Sequence, residues 1–399
     1  MTGSSRRAAA FAIVRWLATR DFPQELLPAG PDRAFVQDLV YTTIRRLRPL
    51  RKVLGELVKK WPKGELEALL YVGAAQVLYM PEVPDFAAVN ETVAAAKACG
   101  NPSVARVVNG VLRNLIRRRE EFEALLAAAP LEERESFPTA LVRRWRGRYG
   151  DEGAEVLCRW HNEPAETWLA RPDGSFVALE RGRRIEEVEG FSEGRFIVQD
   201  PGTALAVSLV DPQPGERILD ACAAPGGKSV QLAWRGAEVT ACEVNPRRRE
   251  RLEANLRRVN VPVRVCGSLT DAEIADGAFD KVLVDAPCSN TGVLRRRPDA
   301  RWNWSAEKLA DLVKLQAEIL NLAARAVRPG GALVYSTCSN EPEENFEQAQ
   351  AFVGRHPDFE VEAHDESVPH QSRRDGAFAV RLRRKTDASL VLDETGGEK

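Results

Sequence analysis

Four histidines and no Cys-x-x-Cys pair in 399 residues leave little from which to assemble a zinc site. The seven cysteines, at 99, 158, 222, 242, 266, 288 and 338, are odd in number and too scattered for a disulfide framework, which points to a reducing, cytoplasmic setting. No apolar run is long enough to span a membrane. Residues 1–7, although rich in Ser and Arg, run straight into an amphipathic segment without the apolar core and cleavage site of a signal peptide. Net charge is nearly absent too, at −1, but its distribution is uneven. Residues 1–150 hold 24 Lys and Arg against 16 Asp and Glu, and the remainder is correspondingly acidic. A basic front on a near-neutral chain suggests a polyanionic partner, while solvated helix faces would give the same count.

Strand-like alternation is missing from the first 148 residues, where apolar side chains instead recur every three or four positions: Phe11, Val14, Leu17; Phe35, Leu39, Tyr41, Ile44; Leu69, Val72, Ala75, Val77. Breaks at 28–31, 61–64, 81–84 and 100–102 divide this part into helices, with a helix start at Asn101, Pro102 and Ser103. Residues 143–200 form a connector without a motif, carrying Trp145, Trp160 and a short strand-like piece at 175–179. From 202 to about 328, apolar strand patterns (217–221, 238–243, 263–266, 281–285) alternate with helical ones (after Gly227, 247–259, 306–327), a βαβ series.

The chain turns on the loop after the first of these strands. Cys222, Ala223, Ala224, Pro225, Gly226, Gly227 and Lys228 lead into a helix whose free N–H groups and positive dipole end suit an anionic group. Residues 222–229 nearly match the phosphate loop G-x-x-x-x-G-K-[ST], with Val282, Leu283, Val284 and Asp285 as its metal-binding strand. The match fails at its first glycine, where Cys222 stands, and Pro225 lacks an N–H. A plain strand-turn-helix without a ligand is the third reading. Glu243 ends the second strand some twenty residues on, where an acid can accept hydrogen bonds from ribose hydroxyls. Asp285 and Cys288 lie at the end of one strand and Cys338 at the end of another, among Pro, Ser, Thr and Asn. There a thiolate could be both exposed and stabilised. Cys242 and Cys266, inside apolar strands, read as packing, and Cys99 and Cys158 as helical filler.

Two resemblances follow from these stretches. The front resembles the helical RNA-binding domain of the NusB family, through residues 32–41, 87–93 and 107–113. By that resemblance the basic clusters Arg45-Arg46, Arg51-Lys52, Lys59-Lys60 and Arg117-Arg118-Arg119 are phosphate contacts, where otherwise each would be a solvated face. Residues 220–228, Asp285-Ala286-Pro287-Cys288 and Ser336-Thr337-Cys338-Ser339 together resemble the RsmB/Nop2/Sun family of RNA cytosine-C5 methyltransferases, and the NusB-like front narrows this to the RsmB branch. Similarity covers residues 6–384.

The resemblance implies an α/β fold: a Rossmann-like S-adenosylmethionine-dependent methyltransferase domain (201–385), preceded by an all-α NusB-like domain (1–142) and the connector (143–200), and followed by a tail (386–399). It implies methylation of C5 of a cytosine in 16S ribosomal RNA, by a monomer. Another RNA such as tRNA is the alternative, and a non-catalytic assembly factor is the rival from a different class. Cys338 would be the attacking thiolate and Cys288 would assist product release. Asp285 would hydrogen-bond the ring, with Lys228 as its electrostatic partner. The cofactor would use residues 222–228, Glu243 and Asp285. Where the family has an aspartate after the third strand, Cys266-Gly267-Ser268 offers Ser268 for the adenine. The RNA-binding segment between 164 and 196 is shortened, and Arg295 to Trp302 could hold RNA phosphates.

Overall fold

In the computed structural model, residues 4–386 are described apart from 31, 101, 181, 273 and 373. Asn101, part of an expected helix start, and the tail beyond Thr386 lie outside the described residues. The helical periodicity of the front folds as α1 (Ser4–Thr19), α2 (Arg33–Arg45), α3 (Leu47–Leu57), α4 (Glu65–Tyr79), α5 (Asp85–Lys97), α6 (Pro102–Arg117), α7 (Arg119–Ala127), α8 (Leu131–Arg134) and α9 (Thr139–Trp160), the last broken at Gly150. α4 is buried continuously from Ala68 to Val77, because it is apolar on every side and the other helices wrap it. α3 and α6 each turn one apolar stripe inward, Leu50, Val53 and Leu54 on one and Val108, Leu112 and Leu115 on the other.

The chain forms two compact units, one of residues 1–163 together with 294–305, the other of residues 164–293 together with 306 onward. The first unit therefore takes in a segment distant in sequence, and this overturns the expectation that Arg295 to Trp302 is an RNA-facing loop. Arg301 is fully buried. Its Nη1 donates to the carbonyls of Arg45 and Ser136 (3.3 and 3.2 Å) and to Asn162 Oδ1 (3.0 Å), and its Nη2 donates to the His161 carbonyl (3.1 Å). Arg45 and His161 stand at the carboxyl ends of α2 and α9, where unsatisfied carbonyls and the negative dipole end favour a cation. Arg295 is buried over the Trp160 ring, Arg297 pairs with Asp299, and Trp302 Nε1 donates to the Ile44 carbonyl. These side chains hold the helical unit together.

The second unit opens with β1 (Trp168–Ala170), β2 (Phe176–Ala178) and β3 (Ile197–Val198), an antiparallel sheet in the order β2-β1-β3, and then α10 (Ala204–Val210). There follow β4 (Arg217–Asp220), α11 (Gly227–Trp234), β5 (Glu238–Cys242), α12 (Pro246–Val259), β6 (Val263–Cys266) and β7 (Phe279–Asp285). The chain visits the first unit with α13 (Ala300–Asn303) and returns through α14 (Ala306–Ala326), β8 (Val327–Thr337), α15 (Phe346–Arg355), β9 (Phe359–Ser367), α16 (Pro369–Ser372) and β10 (Ala377–Arg384). The seven-stranded sheet runs β6-β5-β4-β7-β8-β10-β9. It is parallel from β6 to β8, and β10 is antiparallel to both its neighbours.

Alternate residues of the central strands supply opposite faces. Leu219, Val282, Val284, Leu333 and Tyr335 join one core, while Ile218, Leu283 and Val334 join another. Val282 to Val284 of β7 and Ala332 to Tyr335 of β8 are buried on both faces, and those stretches are apolar at every position. Strand order reverses between β4 and β7, so this Rossmann-like sheet opens its crevice beyond their carboxyl ends. No helix among the described residues is long and apolar enough to cross a membrane.

Candidate active site

β4 ends in Asp220 and passes into the loop that carries Cys222 to Gly226. Gly226 lies at φ 105°, and a Cβ there would meet Leu252 Cδ1 at 2.8 Å, so only glycine lets the loop settle on α12. The loop is pinned from below: Ala223 N–H donates to the Cys242 carbonyl (2.9 Å), Asn255 Nδ2 to the Pro225 carbonyl (2.8 Å) and Arg248 Nη2 to the Ala224 carbonyl (3.3 Å). The Ala224–Pro225 peptide is cis. Burial first, then the charges of Asp220, Asp285 and Glu243, push the Cys222 thiol up to about 12, so it is no thiolate.

Lys228, in the first turn of α11, reaches across the switch point and donates from Nζ to Asp285 Oδ2 at 2.5 Å. The other oxygen, Oδ1, accepts from Ser336 Oγ at 2.9 Å, so the end of β7 is fixed by α11 on one side and by β8 on the other. Burial alone would lower the Lys228 pKa, but the Asp285, Asp220 and Cys338 charges carry it above the ordinary value. At the end of β4, Asp220 is buried and accepts from Ser229 Oγ at 2.6 Å. Burial raises its carboxyl to about 6, with Asp285 adding and Ser229 and Lys228 opposing.

The two sulfurs expected to act together are brought together. Cys288 Sγ and Cys338 Sγ lie 3.4 Å apart, one beyond β7 and the other beyond β8. Both were expected to be exposed; Cys338 is half-buried, but Cys288 is buried. The reason is a meeting of three distant stretches of chain. Gly292 N–H donates to the Cys338 carbonyl (3.0 Å) and Gly376 N–H to the Gly292 carbonyl (2.8 Å), which draws the Cys288 loop over its own thiol. A Cβ on Gly292 would lie 2.7 Å from the Cys338 carbonyl oxygen, closer than the chain allows. The Cys288 thiol is pushed well up, first by its hydrogen bond with Cys338 and then by burial. Asn290, to which no sequence motif pointed, lies with Oδ1 3.4 Å from the Cys338 sulfur and donates from Nδ2 to the Cys288 carbonyl at 2.8 Å.

The remaining candidates sit on the other arm of the sheet. Glu243, just past β5, is buried, with Oε1 accepting from Asn245 N–H (2.9 Å) and Oε2 3.5 Å from Arg248 Nε. The Asn245 side chain in turn caps α12, accepting from Arg247 and Arg248 N–H. Ser268, past β6, has its hydroxyl 2.8 Å from Thr270 Oγ1, while Asp271 Oδ2 takes the N–H groups of Gly267 and Ser268 at 2.9 Å each. With about 4.8 Å between strands, the crevice from β5 to β8 spans roughly 14 Å. Its carboxylate arm and its thiol arm are thus separate places on one ligand-sized rim. Also unforeseen in the sequence is a cluster behind the thiols, in which buried Thr291, Ser339, Glu344 and Gln316 meet half-buried Ser289. Its signal was the polar run 336–345, which as sequence reads equally well as a surface loop.

Of the basic residues expected to meet phosphates, Arg46 pairs with Glu135, Lys52 with Glu133, Arg118 with Glu121 and Arg119 with Asp85. Arg45 donates to the Arg295 carbonyl. Arg51, Lys59, Lys60 and Arg117 are exposed, as is Arg113 nearby. Trp145 is core.

Family models described as 16S rRNA methyltransferase RsmB/F and as NusB family match residues 207–386 and 3–117. Ribosomal RNA small subunit methyltransferase B of Serratia proteamaculans (strain 568) is 33% identical over 423 residues, covering 94% of this chain and 98% of that protein. The protein of the same description from Vibrio cholerae serotype O1 is 33% identical over 407 residues, covering 91% and 92%. Among solved structures, PH0851 superposes with a TM-score of 0.77 at 24% identity, covering 96% of this chain and 99% of that one. NSun6 from Pyrococcus horikoshii gives 0.55 at 18% identity over 63% of this chain and 100% of that one. Both structural likenesses are of fold.

Proposed function

The chain belongs to the 16S rRNA methyltransferase RsmB/F family, and from that premise we propose that it methylates C5 of a cytosine in 16S ribosomal RNA through a covalent bond between Cys338 and C6. It is an S-adenosylmethionine-dependent methyltransferase, and when bound the cofactor supplies an electrophilic methyl group. The residues present fit that group. Gln199 Oε1 is a buried acceptor without a hydrogen-bond partner, 3.1 Å from where a Cβ of Gly227 would stand, and suits the ammonium of an amino-acid tail. Cys222 to Lys228 offer backbone to the tail, Glu243 offers a buried carboxylate to ribose hydroxyls, and Asp285 lies beside the methionine end. Ser268 is the proposed adenine contact.

The pair of sulfurs 3.4 Å apart carries the reading. C5 of cytosine is a poor nucleophile until something adds at C6. Cys338 attacks C6, the C5–C6 π electrons become available at C5, and C5 takes the methyl group. Asp285 accepts a hydrogen bond from the exocyclic amine, and Lys228, bonded to Asp285, balances its charge in a site where each such interaction is worth more than in water. Solvent water takes the proton from C5, its bonding pair re-forms the C5–C6 double bond, and the C6–S pair returns to Cys338 as a thiolate. Cys288, held as a thiol, hydrogen-bonds the departing sulfur and assists release. A base reaches this depth only when unstacked, so unpaired or flipped RNA is the substrate form.

Single-turnover methylation of RNA with cofactor binding measured alongside tests the reading. Cys338→Ala should bind the cofactor normally and transfer nothing; retained turnover removes the nucleophile. Bisulfite mapping of 16S RNA with and without the protein locates the base, and absence of any protein-dependent 5-methylcytosine refutes the proposal.

A further inference from the structure

Glu344 has no part in the chemistry above, yet it is fully buried between the two cysteine loops, at the end of the short turn Pro342–Glu344. A carboxylate is buried only where donors replace water, and burial holds the Glu344 carboxyl above its ordinary value while the bonds from Ser289, Ser339 and Gln316 oppose that rise. Here Oε1 accepts from Ser289 N–H (2.8 Å) and Gln316 Nε2 (3.0 Å), and Oε2 accepts from the hydroxyls of Ser289 and Ser339 (2.5 Å each). Ser339 Oγ itself accepts from Glu341 N–H at 3.0 Å, which directs the hydroxyl proton toward Glu344. Ser289 follows Cys288, and Ser339 follows Cys338. Gln316 Nε2, from α14, also donates to the carbonyl of Pro287, the residue before Cys288 (2.9 Å). One carboxylate thus fastens the chain beside each sulfur.

We propose that Glu344 is a positioning residue: it fixes the Cys288 and Cys338 sulfurs within reach of each other and sets them apart chemically, its negative charge standing against Cys288 while Lys228 acts on Cys338. The groups facing Cys288 are the Cys338 sulfur, Glu344, the Tyr335 hydroxyl of β8 and the Asn290 N–H. Only the last favours a Cys288 thiolate. Glu344 adds to the causes that keep Cys288 a thiol, and Cys338 adds to those that keep Lys228 charged. A thiol and a thiolate side by side is what attack and assisted departure require, so the kinetic part of this inference rests on the proposed function. The ionisation part does not.

The test uses the full chain. Alkylation of Cys288 and Cys338 by iodoacetamide is followed by mass spectrometry across pH in wild type, Glu344→Gln and Glu344→Ala, with cofactor affinity and single-turnover RNA methylation on the same samples. Glu344→Gln keeps the size and, with the hydroxyls turned, the hydrogen bonds, but loses the charge. The Cys288 midpoint should fall by about one pH unit, with no matching fall at Cys338. Glu344→Ala releases both loops and should slow transfer on the order of 100-fold at unchanged cofactor affinity, with Glu344→Gln recovering most of the rate. An unmoved Cys288 midpoint in Glu344→Gln, or full-speed transfer by Glu344→Ala, overturns the proposal. If Glu344→Ala does not fold, the double variant Ser289→Ala, Ser339→Ala should lose rate to an intermediate extent, and a wild-type rate there counts equally against it. Methylation surviving in Cys338→Ala would instead remove the nucleophile and leave the alkylation result standing.

Discussion

Replacing Asp220 with asparagine should stabilise the protein at neutral pH, although the change removes a charge from the motif at the centre of the fold. The carboxyl is 1% exposed, and burial raises it from 3.8 to about 6. A group that binds its proton more tightly when folded makes the native state hold more protons than the unfolded chain between those two values. Stability therefore falls as pH rises from about 4 to about 6 and stays lower above. At about 1.4 kcal/mol per pH unit, the ionised carboxylate costs up to about 3 kcal/mol at pH 7. Asparagine keeps the size, and the Ser229 hydroxyl, now 2.6 Å from Oδ2, can turn to suit an amide. The gain should be roughly 1–3 kcal/mol at pH 7 and vanish near pH 4. Because the two compact units need not unfold together, urea titrations should be read by hydrogen exchange in peptides of β4, β5 and β7. An Asp220→Asn protein that is less stable at pH 7, or that keeps the wild-type pH slope, refutes the reasoning. The companion expectation is slower transfer, since Asp220, after Asp285, is among the charges that keep Lys228 protonated.

Arg301→Met should destabilise the helical unit by roughly 3 kcal/mol, because four buried acceptors lose their donor. Faster exchange in α2 and α9 reads this, and unchanged protection contradicts it. Charge reversal at Lys59, Lys60, Arg113 and Arg117 should weaken RNA binding and lower the slope of log K against log salt by about 0.7–0.9 for each phosphate left without its cation. Reversal at Arg46, which Glu135 already occupies, should act on stability instead. An equal effect of both sets on affinity would mean that exposure does not mark the RNA face.

What the sequence made legible was whatever a local pattern can carry. The alternation of apolar strand patterns with helical ones showed the βαβ series, the period of three and four showed the helical front, and the Pro-Gly-Gly turn placed the crevice. Lys228 and Asp285 were paired through the family resemblance of their motifs, and the structure brings them to 2.5 Å. Other features depend on partners far along the chain. Arg301 sits in an arginine-rich run that looks like a phosphate loop, and only the carbonyls of Arg45, Ser136 and His161, more than a hundred residues away, make it a buried tie. Glu344 reads as one acid in an acidic run until Gln316 and Ser289 close around it. The burial of Cys288 comes from the meeting of Gly292 and Gly376, which no local spacing announces.

The central claim is that Cys338 forms the bond to the base, and a trapped adduct tests it most directly. Cys288→Ala, incubated with 16S RNA and S-adenosylmethionine, should accumulate a protein–RNA species that survives denaturation, and mass spectrometry of the digested adduct should place the nucleotide on the Cys338 peptide. A nucleotide on any other residue, or full turnover by Cys288→Ala with no adduct, would contradict the account.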